Sequence, residues 1–287
     1  MSSLLDPEFL RRLERLRLAA RRRFAGASGG ARASLRRGAS VEFADHRAYS
    51  AGDDIRRIDW NAYARLEELV LRLYVAEEDL RIYLLVDSSA SMGFGDPSKL
   101  VMAQRLAAAL SYVALCGSER VSVIPWAAKA AAASAPARGR GRVGSTFRFL
   151  ENIRADGETD LGACVEAMIA RRMRPGLVMI LSDFLDPAGY ETPVDRLLAS
   201  RFEPALFHVL SEEEVAPTLD GDHRFVDSET GAYVDLSMDP HVLDAYDARL
   251  CAFLDGLESY ARKRGVRYAR LVGHAAFETL LTDYLRA

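Results

Sequence analysis

The 287-residue chain is 49% hydrophobic and 28% charged, which excludes wholesale disorder and a fibrous architecture and fits a folded globular protein. At roughly 150 residues per domain, that length allows one domain with a substantial extension, or two small domains. No apolar run in the sequence approaches the roughly 18 residues of a spanning helix, and Met1 to Leu10 lacks the basic start and cleavage site of a secretory signal, so a cytoplasmic location without a transmembrane segment is expected. The three cysteines, Cys116, Cys164 and Cys251, are far apart and form no Cys-x-x-Cys, which argues against a disulfide framework or a zinc site.

The net charge of −3 is unevenly spread: residues 11–37 hold ten Arg against the single acid Glu14, a surplus of nine that leaves −12 elsewhere. The arginines lack the interleaved aromatics of a stacking platform, so nucleic acid is not the expected partner. An acidic protein surface, or peripheral contact with an anionic membrane, remains open.

In chain order, Asp6-Pro7 reads as a helix start, and Phe9, Leu13, Leu16 and Ala20 recur at helical spacing opposite the arginines. Gly26 to Gly38 reads as a flexible connection. Residues 41–80 form a compact block: Gly52-Asp53-Asp54 marks a turn, Asp54 can cap a short helix through Trp60, and Leu69, Leu71, Leu73 and Val75 alternate like a strand. Here Trp60 is expected to be buried within an ion-paired scaffold of Arg56, Arg57, Asp59 and Arg65. The expected division is an N-terminal extension, 1–79, followed by a domain at 80–287.

From residue 80, short apolar runs alternate with helical stretches. Strands are predicted at 81–87, 121–125, 177–183, 204–210 and 267–272, and helices at 98–116, 160–173, 191–201, 240–264 and 275–286. This is the pattern of an α/β, doubly wound, mostly parallel sheet covered on both faces. His223 to Leu236 reads as a β-hairpin insertion, and residues 127–145, rich in Ala, Gly and Arg, read as a solvated loop.

In such sheets ligands bind outside the carboxyl ends of the strands. One strand ends in Asp87-Ser88-Ser89-Ala90-Ser91-Met92, another in Ser182-Asp183, and Gly157-Glu158-Thr159-Asp160 precedes a helix between them. Hydroxyls with two carboxylates and no soft ligands suit a hard divalent cation, Mg²⁺ or alternatively Mn²⁺, which keeps several of its waters. Such an ion would keep an open position attractive to an outside carboxylate.

At these residues the sequence resembles the von Willebrand factor A superfamily and its metal-ion-dependent adhesion site. The resemblance implies that Ser89, Ser91 and Thr159 contact Mg²⁺ through hydroxyls, while Asp87 and Asp183 hold coordinated waters. Within that superfamily, the run from Tyr49 to Trp60, with Ala64-Arg65 and Ser91-Met92, resembles the bacterial domain-of-unknown-function 58 family over roughly residues 30–286. That likeness implies association with MoxR-type AAA+ ATPases in the maturation or assembly of other proteins; the open metal position would then take a carboxylate from the ATPase, its client protein, or both. It implies binding rather than catalysis, so no catalytic residue is assigned.

Two other readings stay open. The polar loops could be structural, with Asp87 and Thr159 capping helices and no metal bound. A metal-dependent phosphate-ester hydrolase is the other, although no phosphate loop, Gly-x-Ser-x-Gly elbow or His-Glu-x-x-His helix is present, and His46, His208, His223, His241 and His274 are scattered.

Overall fold

The structure, a computed structural model, describes residues 11, 13–14, 43–50, 53–74, 80–127 and 132–273. The predicted helix at 275–286, the Asp6 cap, and most of the N-terminal arginine segment lie outside the described residues. The chain divides into two compact units, Met1–Arg21 with Leu80–Ala287, and Arg22–Asp79. Leu13 and Glu14 thus group with the larger unit: Leu13 is fully buried in its core, and the Tyr112 hydroxyl donates to the Glu14 carboxylate.

The smaller unit pairs β1 (Phe43–Ala48) antiparallel with β2 (Val70–Tyr74). Between them Asp54 caps a 3-10 turn at Ile55–Arg57 through the Arg56 N–H, 3.0 Å away. Asp59 then caps α1 (Trp60–Leu66), accepting from the Asn61 and Ala62 N–H groups, while its other oxygen meets His46 Nε2 at 3.0 Å. The strand is present and Asp54 caps as expected, but it caps only the 3-10 turn; the helix begins at Trp60, where the expected one ends, and the expected burial of Trp60 is not found. Trp60 is 61% exposed and Tyr63 and Leu66 beside it are exposed too. The physical reason is that α1 buries no residue: caps and ion pairs, which include Arg47 with Asp53 at 2.7 Å, hold the turns without supplying apolar partners for the indole.

The larger unit contains a six-stranded sheet in the order β10-β7-β6-β3-β4-β5. Its parallel strands are β3 (Arg81–Asp87), β4 (Arg120–Trp126), β6 (Leu177–Ser182), β7 (Glu203–Leu210) and β10 (Arg267–Val272). The two-residue β5 (Ala137–Arg138) adds antiparallel to β4. Side chains alternate across the sheet. Along β3, Ile82, Leu84 and Val86 join one buried cluster, with Leu106 and Leu115 of α2 (Lys99–Cys116) and Phe147 and Leu150 of α3 (Val143–Glu151). Tyr83 and Leu85 join the opposite cluster, with Val165 of α4 (Leu161–Ala170), Leu197 of α5 (Glu191–Ala199) and Leu257 of α7 (Pro240–Arg264). A single turn of helix, α6 (Glu212–Val215), follows β7. The fold class is the α/β, doubly wound, mostly parallel sheet read from the sequence.

Two expectations need correction. Residues 127–145 are not simply a loop, because their end forms β5, a 3-10 turn at Arg140–Arg142 and the first turn of α3, whose Val143 and Phe147 pack into the core. The 18-residue α2 does reach the length and mean hydropathy of a spanning helix, 1.3, yet 83% of it is buried within the fold. Its Ala103, Ala107 and Ala114 are small enough to let it lie close against the sheet. The hairpin, β8 (Gly221–Val226) with β9 (Tyr233–Met238), stands where the sequence placed it.

Candidate metal centre

Chain order runs from β3 out to β4 on one side and returns to β6 on the other, so the strand order reverses beside β3. In a doubly wound sheet such a reversal marks the carboxyl strand ends where ligands bind, here those of β3 and β6. Asp87 is the last residue of β3 and is fully buried. Its Oδ1 accepts from the Ser89 N–H at 3.0 Å and the Ser89 hydroxyl at 2.8 Å, and its Oδ2 accepts from the Ser182 hydroxyl at 2.5 Å. Ser89 Oγ lies 3.1 Å from Ser91 Oγ, and Ser91 Oγ donates to Asp183 Oδ2 at 3.2 Å. Four of the five predicted residues therefore form one hydrogen-bonded chain across two strand ends. The backbone turns sharply just after it: Phe184 has φ +57°, an uncommon conformation for an aromatic residue and one that concentrates at functional sites.

Thr159 is brought to the same edge by its loop rather than by its side chain. The Asp156 N–H donates to Ser88 O at 2.9 Å and the Ala90 N–H to Gly157 O at 2.8 Å, which ties the two loops together. Thr159 is half-buried, its hydroxyl makes no hydrogen bond to the other four residues, and its N–H donates to Glu229 Oε2 at 2.9 Å. The helix caps expected under the metal-free reading fall elsewhere: Asp160 caps α4 through the Ala163 N–H, and Ser98 caps α2.

Lys99 is a component that sequence reasoning missed. Its ammonium is buried, 2.6 Å from Asp183 Oδ2 and 2.5 Å from Glu214 Oε1. Burial alone would lower its pKa, but the charges of Asp183 and Glu214 outweigh that and hold it above the ordinary lysine range. A signal was present, since a lysine in the first turn of a helix faces the positive end of the helix dipole and needs a compensating anion. Glu214 is held by its own capping box with Ser211.

Asp87 has no such counter-ion. Burial, and after it the charge of Asp183, push its pKa up to about 7, against the hydrogen bonds from Ser182 and Ser89 that lower it. This buried carboxylate is surrounded by hydroxyls whose oxygens have lone pairs to spare, beside a second carboxylate, and the donor set fits a small hard cation. Among the described residues no group of three or more His, Cys, Asp and Glu could hold a metal ion, so an ion here would depend on the hydroxyls.

Residues 45–252 match the model of the family described as "Protein of unknown function DUF58". An uncharacterized protein of Mycobacterium tuberculosis, Rv1480, is 31% identical over 247 residues, covering 84% of this chain and 77% of its own length. A Mycobacterium bovis protein, Mb1516, matches to the same extent. Among solved structures, the conserved hypothetical protein BatB from Bacteroides thetaiotaomicron aligns with TM-score 0.47 and 14% identity, over 72% of this chain and 97% of that one. An aerotolerance-related membrane protein from Bacteroides fragilis aligns with TM-score 0.46 and 16% identity, over 72% and 98%. With the family match spanning most of its length, the chain belongs to the DUF58 family.

Proposed function

We propose that this protein is a Mg²⁺-dependent protein-binding module, in which Asp87, Ser89, Ser91, Thr159 and Asp183 hold one ion and a partner protein supplies a carboxylate to it. The observation that carries the reading is the hydrogen-bonded chain Asp87–Ser89–Ser91–Asp183, in which one buried carboxylate has a lysine and the other has only hydroxyl and N–H donors. When bound, the ion supplies positive charge and an open coordination position for an anionic oxygen. The chain's own residues set the rest. Both Asp183 oxygens are already engaged, Oδ1 by the Leu185 N–H at 3.1 Å and Oδ2 by Lys99, which favours contact with the ion through water. Serine hydroxyls add no charge, so the site keeps its attraction for an outside carboxylate.

The partner in this reading is a MoxR-type AAA+ ATPase, its client, or both, with the arginines of residues 11–23 adding a contact screened over about 8 Å at physiological salt. A fully internal polar network without metal is the second reading, favoured by the fact that Lys99 already neutralises Asp183. Calorimetric titration with Mg²⁺ separates them: one site is expected, lost in Asp87→Ala and weakened in Asp183→Ala. Binding of a purified MoxR-type ATPase should then fall with EDTA and with Ser89→Ala. Absence of any Mg²⁺ binding would sink the metal reading, and ATPase binding indifferent to both EDTA and Ser89→Ala would remove the ion as the bridge.

A further inference from the structure

We infer that Glu229, at the tip of the β8–β9 hairpin, is the chain's own carboxylate on the metal face, a latch that a partner's carboxylate must displace. The inference rests on the proposed function and adds the regulation of the same site. Its basis is the 2.9 Å hydrogen bond from the Thr159 N–H to Glu229 Oε2, which joins residues 70 positions apart. Thr159 is the one member of the predicted five that sits at these strand ends through its loop alone, so whatever holds its backbone controls whether its hydroxyl is presented. A carboxylate bound to a backbone N–H is a charge-assisted contact, stronger than its neutral counterparts.

The hairpin is built to aim this side chain. Asp227 Oδ1 accepts from the Glu229 N–H at 2.9 Å, its Oδ2 accepts from the Thr230 hydroxyl at 2.6 Å, and the Gly231 N–H returns to Asp227 O at 2.9 Å. Glu229 is half-buried while Asp227, Ser228 and Thr230 around it are exposed. Among the described residues, its bond to Thr159 is the only hydrogen bond between tip residues 226–233 and the rest of the chain.

Little else secures the hairpin. Val226 and Tyr233 are 60% and 65% exposed, and of its strand residues only Met238 is buried. A two-stranded ribbon with so little core is marginal on its own, so the tip can leave at small cost. Its strands stay paired through contacts of their own, including Arg224 with Asp235 at 2.7 Å, which lets it move as a unit. An acidic residue on a detachable arm, resting on the loop that completes the cation site, thus competes with any acidic group arriving from outside.

The test uses the full-length protein loaded with Mn²⁺ and acetate as the carboxylate probe, read by paramagnetic relaxation of the acetate methyl protons. If the latch is closed roughly nine-tenths of the time, Glu229→Ala should bind acetate on the order of tenfold more tightly than the natural protein, with Glu229→Gln in between. In the natural protein, Mg²⁺ with acetate should also speed amide hydrogen exchange at Thr159, a readout that needs no substitution. Equal acetate affinity in all three proteins, each with its ion bound, would overturn the latch and leave the metal reading standing. Unchanged Thr159 exchange would do the same, even if Glu229→Ala failed to fold. No Mn²⁺ binding by the natural protein would overturn both.

Discussion

The two compact units depart from the apolar-inside rule in opposite directions. In the larger unit the unusual residues are charged and buried: Asp87, Lys99 and Asp183 are each at most 2% exposed. In the smaller unit they are apolar and exposed, with Ile55, Trp60 and Leu66 each above 60%. The first departure is expensive, because a buried charge must be paired or lose its ionisation, whereas an exposed aromatic costs the fold little. Groups that cost stability and are nevertheless fully bonded to one another mark the larger unit's strand ends as the place to look for chemistry. The smaller unit's aromatics, including the edge-to-face pair of Trp60 and Tyr63, mark a surface and not a core.

Lys99→Met should break this contrast most severely. It leaves the buried Asp183 and the partly buried Glu214 without their shared cation, and removing one partner of a buried pair costs about 3–5 kcal/mol, to be read from urea unfolding. A loss under about 1 kcal/mol would mean that the cluster relaxes into solvent.

An effect of opposite sign is expected for Asp87→Asn in EDTA. The free carboxyl ionises near pH 4 in the unfolded chain but resists ionisation until about pH 7 in the fold, so the fold loses stability as pH rises between these values. The amide has no charge to bury. The variant should therefore melt above the natural protein at pH 8, with the gap closing toward pH 4, and should gain nothing from added Mg²⁺. An unchanged gap across that range would show that Asp87 does not carry the buried charge.

The smallest effect belongs to Trp60→Ala, expected to cost under about 1 kcal/mol because the indole is exposed. A cost of about 3 kcal/mol or more, the range of a core aromatic, would put Trp60 in an apolar contact and erase the contrast between the units.

What could be read from sequence follows the same division. The runs at 82–86 and 177–181 are apolar on both faces because helices cover both sides of the sheet, and that made the strands and the acidic residues at their ends legible. Lys99 carried a signal in its place at the start of a helix, but which anion it meets, and the approach of Glu229 to Thr159, were not legible, since these partners lie 84 and 70 positions away and only tertiary structure brings them together. The helix at 143–151 was missed because it opens without a side-chain cap at Arg142, within a stretch rich in Gly and Arg. Trp60 was misjudged because its neighbours are capping and ion-pairing residues, which say where a turn lies but nothing about what apolar surface is available to cover a ring.

The long span of the contacts at the strand ends has a consequence for how the protein matures. Ser182 reaches Asp87 across 95 residues, and Lys99 reaches Glu214 across 115. Closing loops of that length costs chain entropy before any contact repays it, so parallel pairing of this kind forms slowly. A nascent chain that has emerged only as far as β4 already carries Asp87, Ser89, Ser91 and Lys99, but none of the residues that complete the cluster. The site is thus completed only by residues made later, Ser182, Asp183 and Glu214, and an ion held there would distinguish a chain that has reached and folded them from one that stops before β6.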